Sequence, residues 1–487
     1  MKNILFTHSY FYKFDKKQWN THQPYPPLGT IYAAAVMRQA GYDVSLFDTA
    51  LIDSPELIKP VIEKDKPDYL VIYDDSFNYL TKMCLTNMRE AAFRIAEIAK
   101  QNGITVIESS SDAADHYEKY LDRNVDFVVI GEGEITLKEL INKLDKNETD
   151  YENIAGLAFR KDNRTIKTAP RQIIRELDSL PVPAWDLINI AEYKNIWLTH
   201  KKYFSINIAT TRGCPFKCNW CAKPIYGNRY NVRSPKNVVD EIQFLQKSFG
   251  ANHFWMCDDI FGLRPGWVQE FRDIVQQCNL KFKYKIQSRV DLLLQEDTIE
   301  ALSESGAETV WVGAESGSQK ILDAMDKGTE VEQIFRATEL LKRNKIRVAF
   351  FLQFGYPGET KEDINKTIDM VLKLMPDEIG ISVSYPLPGT KFYENVKDQL
   401  KQKSNWTDSD ELALMFRSNF PPAYYKKLHR YIHKVYRKRA GIKSIKNILS
   451  NPFSISLDIL RSAILTFYYI PASIFDSFKL KKLETAE

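Results

Sequence analysis

Cysteine is scarce in this chain, with six residues among 487. So few cysteines in so long a chain cannot form a disulfide scaffold of the kind that small secreted domains use. The three that stand apart from the rest, Cys84, Cys257 and Cys278, are expected to be packing residues. Long apolar runs are also missing, because no stretch approaches the roughly 18–20 residues of a bilayer-spanning helix. Residues 1–6 lead into a strand-like run rather than a secretory leader, which predicts a cytoplasmic protein.

A dominant charge of either sign is absent as well. Lysine and arginine number 67 against 63 aspartates and glutamates, which gives a net charge of +4. This balance does not suit a protein whose main task is to bind phosphate backbones, so no nucleic acid partner is expected. The hydrophobic share of 44% and the charged share of 27% are typical of a folded globular protein. At about 100–200 residues per domain, the length predicts two to four domains.

Residues 1–145 alternate short strand-like segments with longer helix-like ones. Apolar residues recur at helical spacing over 31–40 and 88–99, and the strands between such stretches are predicted at 4–7, 43–47, 69–73, 104–107 and 127–130. This alternation predicts an α/β domain with a doubly wound parallel sheet that helices cover on both faces. Ligands of such sheets bind beyond the carboxyl ends of the strands, so the loops there are the candidate site.

Three further units are predicted along the chain. A turn at 161–164 between two strand-like runs indicates a hairpin within a connector over 146–195. Residues 196–400 alternate again and predict a partial (β/α)6 barrel of the TIM type, with strands at 205–210, 253–256, 283–287, 309–312, 348–354 and 378–384. A helical tail over 401–487 carries a basic run at 424–449 and then an apolar stretch at 464–478, which Pro471 is expected to break.

The other three cysteines lie together in one short loop. Cys214, Cys218 and Cys221 follow the first predicted barrel strand with C-x3-C-x2-C spacing. Three thiolates on one loop can reach one metal centre, and a four-iron cluster held by three of them keeps one iron open. A zinc site completed by His253 or Cys257 is an alternative, although structural zinc usually draws on a second C-x2-C pair. Three buried structural cysteines are a third interpretation, which the polar residues between them disfavour.

This motif and the strand ends after it resemble the radical S-adenosylmethionine (SAM) enzymes. In that family the three cysteines hold a 4Fe-4S cluster whose open iron binds SAM, and reduction of SAM releases a 5′-deoxyadenosyl radical. The resemblance implies an external one-electron reductant as a partner. It also implies SAM contacts at Phe216, Trp220, Asp258, Asp259, Ser288, Arg289 and Glu315. Taken alone, Asp258 and Asp259 are equally consistent with a helix cap, and Arg289 with a surface ion pair.

The amino-terminal unit resembles the cobalamin-binding, Rossmann-like domain of a radical SAM subclass. The resemblance implies cobalamin contacts at Pro27, Leu28, Gly29, Asp75, Ser76, Gly131, Glu132 and Gly133. Glycines in such loops let backbone amides approach a flat ring or a phosphate. Two motifs are absent: the G-x-G-x-x-G of dinucleotide-binding folds, and the D-x-H-x-x-G whose histidine binds cobalt. His22 is therefore expected to be an ordinary loop residue.

Together these patterns predict a radical SAM enzyme that acts on an unactivated carbon of a small-molecule or lipid-like substrate. The expected outcome is methyl transfer from cobalamin, cyclisation or oxidation. The alternatives are a radical SAM oxidoreductase or cyclase without cobalamin, and a cobalamin- or iron–sulfur-binding protein without catalysis.

The basic run of the tail has three interpretations. It can be a helical cap that packs on the barrel, a nucleic acid contact, or a peripheral attachment to a membrane surface.

Overall fold

The computed structural model describes residues 2–221, 225–400, 405–450 and 456–484. Its strands are β1 (Asn3–Thr7), β2 (Asp43–Phe47), β3 (Tyr69–Tyr73), β4 (Thr105–Ser109), β5 (Phe127–Val129), β6 (Leu157–Lys161), β7 (Arg164–Lys167), β8 (Ser205–Ile208), β9 (Thr211–Arg212), β10 (Asn231–Val232), β11 (His253–Met256), β12 (Lys283–Ser288), β13 (Ala307–Glu315), β14 (Arg347–Phe354) and β15 (Glu378–Val383).

The α-helices are α1 (Lys16–Trp19), α2 (Leu28–Gln39), α3 (Lys59–Asp65), α4 (Tyr79–Lys82), α5 (Thr86–Gln101), α6 (Ser111–Asp115), α7 (Tyr117–Leu121), α8 (Glu134–Asp145), α9 (Ile190–Lys201), α10 (Pro235–Phe249), α11 (Trp267–Gln277), α12 (Val290–Leu293), α13 (Thr298–Glu304), α14 (Gln319–Ala324), α15 (Val331–Arg343), α16 (Lys361–Leu374), α17 (Lys391–Val396), α18 (Pro422–Ser450) and α19 (Leu457–Glu484).

The first sheet has the strand order β2-β1-β3-β4-β5-β6-β7. Strands β1 to β5 are parallel, as predicted, whereas β6 and β7 are antiparallel to their neighbours. The predicted hairpin is therefore confirmed, but it extends this sheet instead of lying in a separate connector. A hairpin can do so because a short turn suffices between antiparallel strands, while a further parallel strand needs a long crossover. The strand order reverses between β1 and β3, which makes their carboxyl ends the topological switch point.

Alternate residues of these strands fill two separate cores. Val71 of β3 packs with Ile31 of α2 on one face of the sheet. Its neighbour Leu70 packs with Ile95 of α5 on the other face. All five residues of β3 are buried, which is why the strand is a continuous apolar run. The predicted coverage of the sheet on both faces is confirmed.

The second sheet has the order β8-β11-β12-β13-β14-β15. All of its neighbouring strands are parallel, and they follow one another in chain order. The six predicted strands are confirmed, and β8 and β15 form the two edges of a partial barrel. Parallel strands in chain order bring their carboxyl ends to one rim, where the loops after them meet.

The tail consists of two long helices, α18 and α19, packed along each other. Residues 401–404, 451–455 and 485–487 of the predicted tail lie outside the described residues. The expected break at Pro471 is wrong, because α19 continues through this residue. Buried residues before and after the proline, such as Thr466 and Ser473, hold both halves of the helix in place. Within the described ranges, no helix combines the length and the apolarity that crossing a bilayer requires.

Candidate active site

The cysteine loop leaves the rim of the second sheet directly after β8. A short antiparallel ribbon, β9 with β10, closes this loop at its base. Gly213 begins the loop with a φ of +80°, and a Cβ there would clash with the carbonyl oxygen of Arg229. Glycine is therefore required at the position before the first cysteine. The loop leaves Cys214, Cys218 and Cys221 half-buried and unoxidised, at the mouth of the barrel.

The chemistry of these donors fits an iron–sulfur cluster. The described residues contain no group of three cysteine, histidine or acidic side chains close enough to share one metal ion. A four-iron cluster binds each thiolate through a different iron, so its ligands stand further apart than those of one ion. His253 and Cys257, the candidates for a fourth zinc ligand, are both engaged elsewhere. The His253 ring contacts the Ser205 hydroxyl, and the Cys257 thiol donates to the Ile208 carbonyl.

Asn219, between the second and third cysteines, fixes the loop to the barrel. Its side-chain amide donates to the Ala324 carbonyl at 2.7 Å, and its side-chain oxygen accepts from the Tyr356 hydroxyl at 2.8 Å. Its backbone amide donates to the Met325 carbonyl, and its carbonyl accepts from the Phe392 amide. This buried residue thus orders the backbone that carries Cys218 and Cys221. The sequence interpretation missed Asn219, although it lies inside the cysteine motif.

Arg289 and Phe216, both predicted SAM contacts, lie against each other. The guanidinium carbon of Arg289 is 3.7 Å from the centre of the Phe216 ring, and Nη1 is 3.9 Å from the Cys218 Sγ. The guanidinium also donates to the carbonyls of Lys327 and Gly328 and pairs with Asp291. Arg289 is buried, so the alternative of a surface ion pair does not hold.

Glu315 ends β13 and pairs with Lys327, whose Nζ lies 2.9 Å from Oε1. Both side chains are buried. Burial opposes the charge of Lys327, but Glu315 and the nearby Cys218 hold its pKa above the usual value. Glu315 has a φ of +54°, and the β13–β14 register shifts between Gly313 and Glu315. This irregularity turns the carboxylate toward the rim. Lys327 carried no sequence signal, because it lies in a loop far from any motif.

Asp258 and Asp259 take different places at the end of β11. The Asp258 carboxylate accepts hydrogen bonds from the backbone amides of Thr210 and Thr211, at 2.7 and 2.8 Å, and from the Thr210 hydroxyl. Burial raises its pKa to about 6, against the effect of these donors. Asp258 thus positions the entry to the cysteine loop. Asp259 instead pairs with Lys82 of α4 at 2.6 Å.

The remaining predicted SAM residues also lie at the rim. The Ser288 hydroxyl donates to the Phe261 carbonyl, and Trp220 is half-buried with a buried Nε1 that has no hydrogen-bond partner. Three cations thus lie near Cys218 or Cys221, each held by its own carboxylate: Lys82 by Asp259, Arg289 by Asp291 and Lys327 by Glu315. Nearby cations stabilise thiolates over thiols, which is the form that binds iron.

The switch point of the first sheet faces this rim. The Asp74 carboxylate, after β3, accepts from the backbone amide and the hydroxyl of Ser9, after β1. The next residue, Asp75, accepts from the backbone amide of Gly29 at 2.9 Å, and burial raises its pKa to about 6. Ser76 lies 2.5 Å from the hydroxyl of Tyr226 in the cysteine loop. The predicted residues around β3 therefore join the two sheets.

The other predicted cobalamin residues differ in what they face. Pro27 precedes α2, and Leu28 is fully buried in the core. A Cβ on Gly29 or Gly133 would meet the protein itself, at Ser76 or Tyr73, whereas a Cβ on Gly131, which has a φ of +83°, would make only an ordinary contact among the described residues, with the Ile225 carbonyl oxygen at 3.8 Å.

A small polar cavity lies between the two sheets. Its lining includes Asp74, Ser76, Ser109, Ser110 and Ile225. Glu108, in the strand that leads to it, is fully buried, and neither of its carboxylate oxygens has a hydrogen-bond partner. Burial raises the pKa of this carboxyl well above its usual value. The unpartnered Glu108 oxygens suit a ligand with hydrogen-bond donors, such as the amides of a corrin ring, but the cavity itself, at about 10 Å³, has room only for a water-sized group.

Arg212 connects the cysteine loop to the first sheet. Its guanidinium lies 2.5 Å from Glu132, in the loop after β5, and 2.8 Å from Glu134, the first residue of α8, and all three side chains are buried. The rings of Tyr32, Phe77 and Tyr226 surround the guanidinium. Burial raises the pKa of Glu132, against the opposing effect of Arg212. The sequence interpretation assigned no role to Arg212.

Outside the site, two of the three remaining cysteines are packing residues as predicted. Cys84 and Cys257 are buried, and burial raises the pKa of both thiols well above the usual value. The prediction for Cys278 is wrong: it is exposed just after α11, because the apolar face of that helix ends at Val275.

Comparison with known proteins agrees with this geometry. Residues 208–371 match the radical SAM superfamily. An uncharacterized methyltransferase of Pyrococcus horikoshii is 28% identical over 430 residues, which cover 86% of this chain and 90% of the relative. The anaerobic magnesium-protoporphyrin IX monomethyl ester cyclase of Rubrivivax gelatinosus is 27% identical, with 77% of this chain and 67% of the relative covered.

A solved structure shares the fold over almost the whole chain. It is the cobalamin-dependent SAM radical enzyme OxsB with aqua-cobalamin bound, which aligns with a TM-score of 0.75 at 16% identity and covers 99% of this chain and 72% of that chain. The likeness shows the arrangement of two sheets and a helical tail. The cysteine loop and most of the second sheet lie within residues 208–371, and this part of the chain is the part that matches the radical SAM superfamily.

Proposed function

We propose that this protein is a cobalamin-dependent radical SAM methyltransferase of a small-molecule substrate. The observation that carries the proposal is the buried Arg212 with Glu132 and Glu134, which fastens the cysteine loop to the carboxyl edge of the first sheet. A cofactor on that edge and a cluster on the cysteine loop would face one shared space. The methyltransferase of Pyrococcus horikoshii, similar over most of both chains, supports the same reaction class.

In this proposal Cys214, Cys218 and Cys221 would hold the cluster, with the ion-paired Lys82, Arg289 and Lys327 beside it. When bound, the cluster and SAM supply a 5′-deoxyadenosyl radical, and methylcobalamin supplies the methyl group. Phe216 and Arg289 form a flat wall beside Cys218 on which an adenine or a ribose can rest. Glu315 offers a carboxylate for hydroxyl or ammonium groups of SAM, with Lys327 fixing its orientation.

The first sheet supplies the cobalamin site of the proposal. Gly131, with a φ of +83°, has no close neighbour in the described part of the chain that a ligand would have to displace except the Ile225 carbonyl at 3.8 Å from a Cβ position, and Ser76 borders the polar cavity. Asp75 and Glu132 are positioning residues, since their carboxylates already bind Gly29 and Arg212. No histidine of a D-x-H-x-x-G motif is available, so these residues would hold the ring without a ligand to cobalt from that motif.

The proposed reaction requires an external one-electron reductant and a small-molecule or lipid-like substrate, and it involves no nucleic acid. Cyclisation is the second candidate reaction. The specific observation in its favour is the similarity to the anaerobic cyclase of Rubrivivax gelatinosus, which spans 77% of this chain.

Anaerobic reconstitution with iron and sulfide, followed by incubation with SAM and dithionite, tests the proposal. We expect about four irons per chain, release of 5′-deoxyadenosine, and a corrinoid absorbance after loading with hydroxocobalamin. Cys218→Ala should abolish the cluster absorbance. Cys278→Ala is the matched control, because that thiol is exposed and lies outside the loop.

The outcomes separate the candidate functions. Release of 5′-deoxyadenosine without corrinoid retention would favour the oxidoreductase or cyclase without cobalamin. Cofactor retention without any cleavage of SAM would leave a binding protein and overturn the enzymatic assignment. A cluster that survives Cys218→Ala would overturn the assignment of its ligands.

A further inference from the structure

The two tail helices pack through small and polar residues. Gly441 of α18 lies so close to α19 that a Cβ there would clash with the Thr466 hydroxyl. Asp476 of α19 is buried in the contact and pairs with Lys427 at 3.1 Å and with Lys434 at 2.7 Å. The inner face of α19 therefore holds the small and charged residues that a surface helix normally turns outward.

The large apolar residues of α19 lie on its outer face. Phe467 is 76% exposed, Phe478 62% and Ile464 59%. These residues belong to a stripe at intervals of three and four positions, which also contains Tyr468, Ile474 and Phe475. Residues 464–478 alone extend the stripe over about 20 Å of helix. A continuous exposed apolar patch of this kind marks a surface that is covered in the working state of a protein.

Basic residues accompany this apolar stripe. The described part of α18 contains nine lysines and arginines and no aspartate or glutamate. Arg437, Arg439, Lys443 and Lys446 are exposed along its carboxyl-terminal half, and the Arg437 guanidinium contacts the Tyr469 ring of α19. Apolar and cationic groups thus lie on the same helical hairpin, which is formed by α18 and α19. This combination is what association with an anionic lipid surface requires.

The amino-terminal half of α18 ties the hairpin to the barrel. Tyr424 and Tyr425 are buried there, and the Tyr436 hydroxyl donates to the Pro376 carbonyl at 2.5 Å. Taken as whole elements, the two helices contact each other far more than either contacts any part of the barrel. The hairpin therefore presents its outer face without disturbing the sheets that carry the active site.

We propose that the outer face of α19 docks on the surface of an anionic lipid bilayer, while the exposed basic residues of α18 behind it add long-range attraction to the negative headgroups. A second copy of the chain is the competing occupant of an apolar face. Charge disfavours it, because two such hairpins would bring two strongly basic helices together. The inner face is already filled by α18, so α19 would lie along the bilayer surface.

Vesicle sedimentation with the full-length, cluster-loaded protein tests this docking. We expect binding to vesicles of phosphatidylcholine with phosphatidylglycerol, weaker binding to phosphatidylcholine alone, and release in 1 M NaCl, where charges are screened within about 3 Å. The triple variant F467S/F475S/F478S should bind at least tenfold less. The control variant L57S/V182S removes two exposed apolar residues elsewhere and should bind as the unchanged protein does.

Circular dichroism, cluster absorbance and size-exclusion chromatography accompany each sample, so a folding defect is distinguishable from lost docking. K443E/K446E should weaken binding to the anionic vesicles without touching the apolar stripe. Failure of the folded, unchanged protein to bind either vesicle would overturn the proposal. So would a dimer that F467S/F475S/F478S converts to a monomer while vesicle binding is unaffected. None of these readouts depends on the reaction proposed above.

Discussion

The Arg212 guanidinium lies 2.5 Å from the Glu132 carboxylate, so the amino-terminal sheet directly holds the residue two positions before Cys214. Glu134, the first residue of α8, completes the contact. The cysteine loop is thus anchored on both sides, by this ion pair on one sheet and by Asn219 on the other. Each anchor leads to a separate prediction.

Replacing Arg212 with alanine should strongly destabilise the protein. Two buried carboxylates would lose their counter-charge, and breaking a buried ion pair in this way costs about 3–5 kcal/mol. We expect the free energy of unfolding, measured by urea denaturation, to decrease by this amount, and we expect the variant to retain the cluster less well. Arg272→Ala removes an ion pair with exposed partners and should cost below about 1 kcal/mol. Equal effects of the two substitutions would contradict the anchoring role of Arg212.

Asn219→Ala should lower the iron content without removing a ligand. The loop would lose its bonds to Ala324 and Tyr356, and the thiols would no longer be held in place. We expect the iron bound after reconstitution to fall by half or more, with the melting temperature less affected. Asn189→Ala, which removes an exposed asparagine outside the site, should leave the iron content unchanged. A full complement of iron in Asn219→Ala would rule out this role.

Arg289→Lys should impair the use of SAM while the cluster remains. Lysine keeps the positive charge but cannot stack flat on Phe216 or donate at once to the Lys327 and Gly328 carbonyls. We expect a rise in the KM for SAM of about tenfold, measured by release of 5′-deoxyadenosine. Arg272→Lys serves as the control. Unchanged kinetics in Arg289→Lys would exclude the proposed wall beside Cys218.

Low pH should destabilise the packing of the tail helices, because two buried histidines of α18 become protonated when the helices unfold. Burial lowers the pKa of His429 to about 4 and that of His433 to about 3, and Lys17, Arg430 and Arg437 add to the effect. In the unfolded chain these groups protonate near 6.5. Their contribution to stability is therefore complete above pH 6.5 and is lost as the pH falls toward 4 and then 3.

Thermal unfolding between pH 7 and pH 4 measures this effect. The melting temperature should fall less steeply with acid in His433→Gln, which stays neutral throughout the range. His200→Gln changes an exposed histidine and should keep the original pH dependence. An identical pH dependence in all three proteins would show that His433 is not the group responsible.

Local patterns in the sequence were sufficient for the elements and for proposing three cluster ligands. The continuous apolar run of β3 and the helical spacing in α5 are short-range signals, and each was confirmed. The three cysteines were identified for the same reason, since their spacing lies within one loop. The expectation that Pro471 breaks the helix failed, because both halves of α19 pack on α18 and this packing outweighs the one backbone hydrogen bond that proline cannot donate.

Contacts between distant segments were decided by the tertiary structure alone. The pairing of Glu132 with Arg212 joins residues 80 positions apart, and Lys327 meets Glu315 only because the loop after α14 folds back against the end of β13. The addition of β6 and β7 to the first sheet is likewise a tertiary effect, because β6 pairs with the free edge of β5. The sequence by itself determined which side chains are available for chemistry. Their partners depend on long-range packing, which no periodicity within a single segment encodes.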